Sequence, residues 1–188
     1  MNTDNEIFDV VDLHDRVVGR ELRKVVHAQG LLHRAVHIFV QNPKGEMYLQ
    51  KRSMSKDRWP GVWTTGCSGH VDQGESYVEA AVRELQEELG IVCSSTDLGA
   101  GFKQSPNEET EQEFIQVFTL VWQGDVQPNA DEISAGRWVS ARALDQWIAD
   151  RPDDFAPSFK CIWRRMRGVI LSSPSNLNLR VYFDSHEV

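Results

Sequence analysis

The sequence predicts a single α+β domain, and three observations support it. Segments of strand-like composition are interleaved with segments of helical period instead of following one another in blocks. Neither an internal repeat nor a Pro/Gly/Ser-rich linker divides the 188 residues. Hydrophobic residues make up 40% of the chain and charged residues 26%, enough for one core that needs no disulfide or metal to hold it.

Taken in order, Glu6 to Val11 and Arg16 to Gly19 flank a polar turn and read as a hairpin, with a short helical or irregular stretch from Glu21 to Gly30. His33 to Val40 is rich in β-formers, residues 42–45 (Asn-Pro-Lys-Gly) make a turn, and Met47 to Arg52 resumes as a strand, so this pair reads as a second hairpin. Pro60 and Gly61 favour an extended connection between Trp59 and Trp63. From Ser76 to Leu89 the period changes: Val78, Ala81, Val82, Leu85 and Leu89 recur at helical spacing, and Gly90 supplies the stop. Glu113 to Trp122 is a long β-rich run and Arg137 to Val139 a short one. Ala141 to Ile148 and Ser158 to Arg167 read as helices, the second after Pro157. These elements place a domain over 1–172, with 173–188 as a polar tail that carries one apolar patch, Leu179 to Phe183. Trp59, Trp63, Trp138 and Trp147 are expected in the core.

Against 20 basic residues stand 28 acidic ones, a formal charge of −8 that argues against nucleic acid as a partner. A small anionic substrate is compatible with this balance where basic groups or a bound cation correct the local field. Cys67, Cys93 and Cys161 cannot all pair, and no C-x-x-C spacing occurs. No run approaches the roughly 18 apolar residues of a membrane helix, and Met1 to Phe8 lacks the pattern of a signal peptide. The expectation is a soluble, reduced, cytoplasmic protein without a membrane partner; a homodimer is compatible with the sequence.

Chemistry concentrates in residues 69–91. A Gly-His-Val-Asp-Gln-Gly-Glu loop leads into a helix that ends Arg-Glu-Leu-Gln-Glu-Glu-Leu-Gly-Ile. At about 100° per residue, Glu84, Glu87 and Glu88 share one sector beside the apolar stripe. Glu84 and Glu88, four apart, repel each other, and all three lie near the carboxyl end of the helix, where the macrodipole disfavours anions. Solvent tolerates such a face, which is the commoner reason for a Glu-rich helix. Against a core, however, clustered carboxylates need a cation, and their oxygens suit Mg²⁺ or Mn²⁺. The glycines let backbone approach a ligand closely, and Arg83, eight residues after Glu75, can pair with it.

These residues match the Nudix box without a mismatch: Gly69, five residues, Glu75, seven residues, Arg83-Glu84, an aliphatic, any residue, Glu87-Glu88, any residue, Gly90 and an aliphatic. The chain therefore resembles a Nudix hydrolase. The resemblance implies a mixed β-sheet between helices with a catalytic loop–helix–loop. It also implies a pyrophosphatase acting on a nucleoside diphosphate derivative or a related small phosphorylated molecule. It puts Mg²⁺ or Mn²⁺ binding on Glu84, Glu87 and Glu88, and loop support on Gly69, Glu75, Arg83 and Gly90. A Nudix module that binds a nucleotide without turnover is a further alternative.

The flanks resemble a narrower branch. Residues 31–37 (Leu-Leu-His-Arg-Ala-Val-His), 49–56 (Leu-Gln-Lys-Arg-Ser-Met-Ser-Lys), 59–64 (Trp-Pro-Gly-Val-Trp-Thr), Gly69-His70, 111–113 (Glu-Gln-Glu) and 155–157 (Phe-Ala-Pro) are similar to type I isopentenyl-diphosphate isomerase. By that likeness Arg52 and Lys56 hold a diphosphate, His33 and His70 bind metal, and Glu111 and Glu113 supply metal and acid/base carboxylates. His27 stands one residue short of the spacing for a third histidine. Ser68 falls where the isomerases carry their catalytic cysteine, a position that also places it among the candidate metal ligands. Glu84 replaces a basic residue of theirs, and the isomerase box is usually degenerate. Hydrolysis is accordingly the main expectation and isomerisation of isopentenyl diphosphate the alternative.

Overall fold

The computed structural model describes residues 6–171; the tail expected over 173–188 lies outside them. Strands β1 (Ile7–Val11) and β2 (Val17–Leu22) form an antiparallel two-stranded sheet of their own. Helix α1 (Arg23–Gln29) follows and stops at Gly30, whose φ of +61° is the left-handed cap that glycine adopts without strain. Seven further strands build one mixed sheet: β3 (His33–Gln41), β4 (Met47–Arg52), β5 (Trp63–Thr65), β6 (Cys67–His70), β7 (Gly99–Gln104), β8 (Glu113–Val121) and β9 (Ile133–Val139).

Strand β3 organises the sheet. It runs parallel to β8 from the His33/Glu113 pair to the Gln41/Val121 pair, and antiparallel to β6 from Ala35/His70 to Ile38/Cys67. Alternation along β3 sends Ala35 and Phe39 to one face and Val36, Ile38 and Val40 to the other. Helices α3 (Ala141–Asp150) and α4 (Pro157–Leu171) cover the first face with Leu144, Phe159, Ile162 and Trp163. Helix α2 (Tyr77–Leu89) covers the second with Ala80, Ala81, Leu85 and Leu89. The sheet thus lies between helices, as the Nudix resemblance implies. Helix α2 starts with a capping box, in which the Ser76 hydroxyl accepts from the Glu79 N–H and the Glu79 carboxylate accepts from the Ser76 N–H.

Three expectations change. The second hairpin is splayed: β3 and β4 meet only at Gln41 and Met47, because β6 occupies that side of β3 while β4 pairs with β5 and β9. Strand β9 starts at Ile133, four residues before the expected Arg137. Strands β6 and β7 carry no clear signal, since Cys-Ser-Gly-His and Gly-Ala-Gly-Phe-Lys-Gln are short, glycine-bearing and poor in β-formers; tertiary pairing with β3 and β8 respectively overrides that preference. Of the four tryptophans expected in the core, Trp63 and Trp147 pack together (5.2 Å between centroids) and Trp138 packs on Tyr48. Trp59 instead is 44% exposed. Among the described residues no helix is long and apolar enough to cross a membrane.

Candidate active site

A cleft of about 430 Å³ opens between α1, α2 and the first turn of α4. Its acidic wall is α2. Glu88 is 4% exposed, and its Oε2 accepts from the Ser68 N–H (3.1 Å) and from Gln50 Nε2 (2.8 Å). Glu84, one turn earlier, crosses β6 at Gly69, where an added Cβ would lie 2.0 Å from Glu84 Cδ. Burial, and then the charge of Glu88, push the Glu84 carboxyl well above its usual range. Burial also raises Glu88, against the opposing pull of the Ser68 N–H.

Arg83 answers this charge. Its Nε and Nη2 donate to the two carboxylate oxygens of Glu75 (both 3.0 Å), a two-pronged pair that ties the box loop to the helix. Nη1 donates to Glu84 Oε1 (2.7 Å) and Glu87 Oε2 (3.1 Å), and Nη2 also to the His70 carbonyl (2.9 Å). The Glu87 side chain is 59% exposed against 13% for Glu84, so the three box glutamates line one wall without converging on a point. Gly69→Ala should push Glu84 aside and lower turnover about tenfold, ~1.4 kcal/mol in the barrier. Because a flexible side chain yields there, the thermal midpoint should hold. Steady-state kinetics check this, and unchanged turnover would remove Glu84 from the working site.

A second group of ligands does converge. His27 from α1, His33 from β3 and His70 from β6 bring ring nitrogens within 4.8 Å of one another. Phe8 walls the group, its ring 4.6 Å from that of His70 and 5.8 Å from that of His33. Both nitrogens of His27, and Nε2 of His33 and His70, are buried without a hydrogen bond. His33 Nδ1 lies 2.8 Å from the Leu31 carbonyl, which can only accept, so Nδ1 carries a proton and Nε2 is the nitrogen that faces the group. Glu113, opposite His33 in register, places Oε1 3.2 Å from His70 Nε2 and 3.6 Å from His33 Nε2. Burial would raise its pKa, but the two rings beside it hold the carboxyl well below the usual range. His27 is pushed down to about 3 by burial and by its histidine neighbours.

Buried imidazole nitrogens without partners, next to one carboxylate, suit a divalent transition cation; the α2 carboxylates suit Mg²⁺ or Mn²⁺. The residues present fit the divalent metal that the resemblance implies. Of the expected ligands, His33, His70 and Glu113 come together, and His27 joins them although its spacing falls one residue short; the short helix α1 and the turn at Gly30 close that gap. Glu111 lines the same cleft but lies outside the histidine group. It lies in the left-handed region (φ +53°), and its carboxylate accepts from Arg58 Nε (3.0 Å) and Trp59 Nε1 (2.8 Å). Ser68 meets the acidic wall through its backbone and lines the cleft, whereas Cys67 is buried in the core beneath α2.

The basic pair divides. Arg52 is largely enclosed, donates to the Arg58 carbonyl from Nε (3.0 Å) and Nη2 (2.9 Å), and forms no ion pair among the described residues. Lys56 pairs with Glu132. Arg52→Ala should raise KM about tenfold for any diphosphate with little change in kcat, and Lys56→Ala should do less. An unchanged KM in Arg52→Ala would return that side chain to a structural role.

Residues 31–159 match the NUDIX domain family. The isopentenyl-diphosphate Delta-isomerase of Burkholderia multivorans is 34% identical over 158 residues, covering 83% of this chain and 90% of that protein. Isopentenyl-diphosphate Delta-isomerase 2 of Photorhabdus laumondii is 37% identical over 162 residues, covering 84% and 90%. Among solved structures, DR0079 from Deinococcus radiodurans aligns with a TM-score of 0.66 at 30% identity, over 77% of this chain and 90% of that one. The family match takes in the seven-stranded sheet, the box helix and every candidate ligand except His27, and by it the chain belongs to the NUDIX domain family.

Proposed function

We propose that the protein is a metal-dependent enzyme that hydrolyses the diphosphate linkage of a nucleoside diphosphate derivative or a related small organic diphosphate. The observation that carries this reading is the buried pair Glu84 and Glu88. Two like charges enclosed one helical turn apart oppose folding; Arg83 pairs with Glu84 but not with Glu88, and a divalent cation would offset the charge that remains. Mg²⁺ or Mn²⁺ held by Glu84, Glu87 and Glu88 would offset the charge of the diphosphate and acidify a bound water. Arg83 keeps Glu84 and Glu87 oriented, and Arg52 offers an unpaired guanidinium to a phosphate oxygen. No covalent step is asked of the chain.

Isomerisation is the second reading. The histidine group with Glu113 supports it, and so do the relatives named isopentenyl-diphosphate isomerases, which taken alone favour it over hydrolysis. Position 68 weighs the other way. A serine hydroxyl is far less acidic than a thiol, and the Cys67 thiol is fully buried, with its pKa pushed well up by that burial. The protein, assayed with Mg²⁺ or Mn²⁺, should release phosphate groups from at least one member of a panel of nucleoside diphosphate derivatives, nucleotide sugars and dinucleoside polyphosphates. Given isopentenyl diphosphate in deuterated water, it should put no deuterium into carbon. Deuterium uptake that is lost in Ser68→Ala, with no phosphate release from any panel member, would replace hydrolysis by isomerisation.

A further inference from the structure

His37 sits on β3 directly opposite Ser68 of β6, so both side chains leave the sheet on one face, and both line the cleft. His37 is only 5% exposed. Its tautomer is fixed by a chain of hydrogen bonds. Thr65 Oγ1 donates its one proton to the Cys67 carbonyl (3.1 Å), so at the 2.9 Å contact with His37 Nδ1 the threonine oxygen must accept. The proton of His37 therefore resides on Nδ1, and Nε2 carries a bare lone pair. Among the described residues Nε2 makes no hydrogen bond, and the Ser68 hydroxyl makes none either. Burial pushes the ring down to about 4, which keeps it neutral and accepting. Arg52, His70 and Glu113 line the same cleft.

Along with His37 and Ser68, the cleft is lined by hydrocarbon from Ala35, Ala156 and Trp59 and by the hydroxyl-bearing Thr64 and Ser158. A hydrocarbon tail laid here would cover the His37 lone pair and the Ser68 hydroxyl without giving either a partner.

We propose that His37 and Ser68 read a hydroxyl on the organic group next to the diphosphate, so that the substrate is the diphosphate of a hydroxylated compound rather than of a hydrocarbon alcohol. This rests on the reading of the cleft as an organic-diphosphate site, though not on the cleavage step. Two probes isolate it: the glyceryl and n-propyl esters of methylenebisphosphonate, which share a three-carbon chain and charge, differ in hydroxyls and cannot be cleaved at the P–C–P bridge. In calorimetric titrations with Mg²⁺ the wild-type protein should bind the glyceryl ester about tenfold more tightly. His37→Phe should remove that preference without weakening the propyl ester. Thr65→Val, which frees the tautomer while leaving the imidazole in place, should also reduce it; a merely space-filling His37 would not respond. Equal binding of the two esters by wild type, binding of neither, or a preference unchanged in both variants would overturn the proposal. Lack of phosphate release from every nucleotide substrate, with the glyceryl preference intact, would sink hydrolysis alone.

Discussion

Glu88→Gln should lower turnover by roughly 10² or more at saturating Mg²⁺, with little effect on the folded chain. The replacement keeps the shape of the side chain, and its Oε1 can still accept from the Ser68 N–H and from Gln50 Nε2. What it removes is one negative charge from a buried pair. Burial raises both carboxyls, so their ionised forms oppose folding, and the thermal midpoint of the metal-free variant should stay level or rise. Loss of activity with equal or greater stability separates a functional carboxylate from a structural one. Kinetics and scanning calorimetry on the same preparation provide the check. Wild-type turnover in Glu88→Gln would empty the metal assignment, and a strongly lowered midpoint would make Glu88 a folding residue. Glu75→Gln should be milder in turnover, because Glu75 meets the site through Arg83.

The parts of this site that are legible in the sequence are those encoded locally. Helical period, a serine cap and a terminal glycine delimit α2 to within a residue, and the box spacing brings Arg83 to Glu75 across one loop. The convergence of His27, His33 and His70 is different in kind. It depends on β6 docking antiparallel to β3 and on Gly30 turning the chain after α1, and neither shows as periodicity. A four-residue strand that reads Cys-Ser-Gly-His has no local reason to be a strand; the open edge of β3 supplies it. Glu111 illustrates the reverse limit. Its place in a Glu-x-Glu pair likens it to a ligand, but Arg58 and Trp59, more than 50 residues earlier in the chain, take its carboxylate. His37, within a run of β-formers, reads most simply as a packed strand residue. It is packed, and the direction of one hydroxyl proton on Thr65 decides what its free nitrogen can do.

Arg83→Ala should be the most destabilising of these changes, by about 3 kcal/mol, the low end of what removing one partner of an enclosed charge pair costs. At this chain length that corresponds to a fall of roughly 6–12 °C in thermal midpoint. One guanidinium serves Glu75, Glu84 and Glu87 and also the His70 carbonyl. Without it, three carboxylates face one another across a partly closed wall, and the box loop loses its tie to α2. Turnover should fall with stability, since Glu84 and Glu87 lose the group that orients them. Arg83→Lys keeps the charge but not the planar fork, which here meets both oxygens of Glu75 while reaching two further carboxylates. It should therefore recover less than half of the lost stability. Mg²⁺ sharpens the test: a cation among the glutamates replaces part of the missing positive charge, so saturating Mg²⁺ should stabilise Arg83→Ala by more than it stabilises the wild-type chain. Equal stabilisation of the two would mean that the metal and Arg83 do not share the same carboxylates. An Arg83→Ala protein within about 0.5 kcal/mol of wild type would reduce the whole network to surface ion pairs.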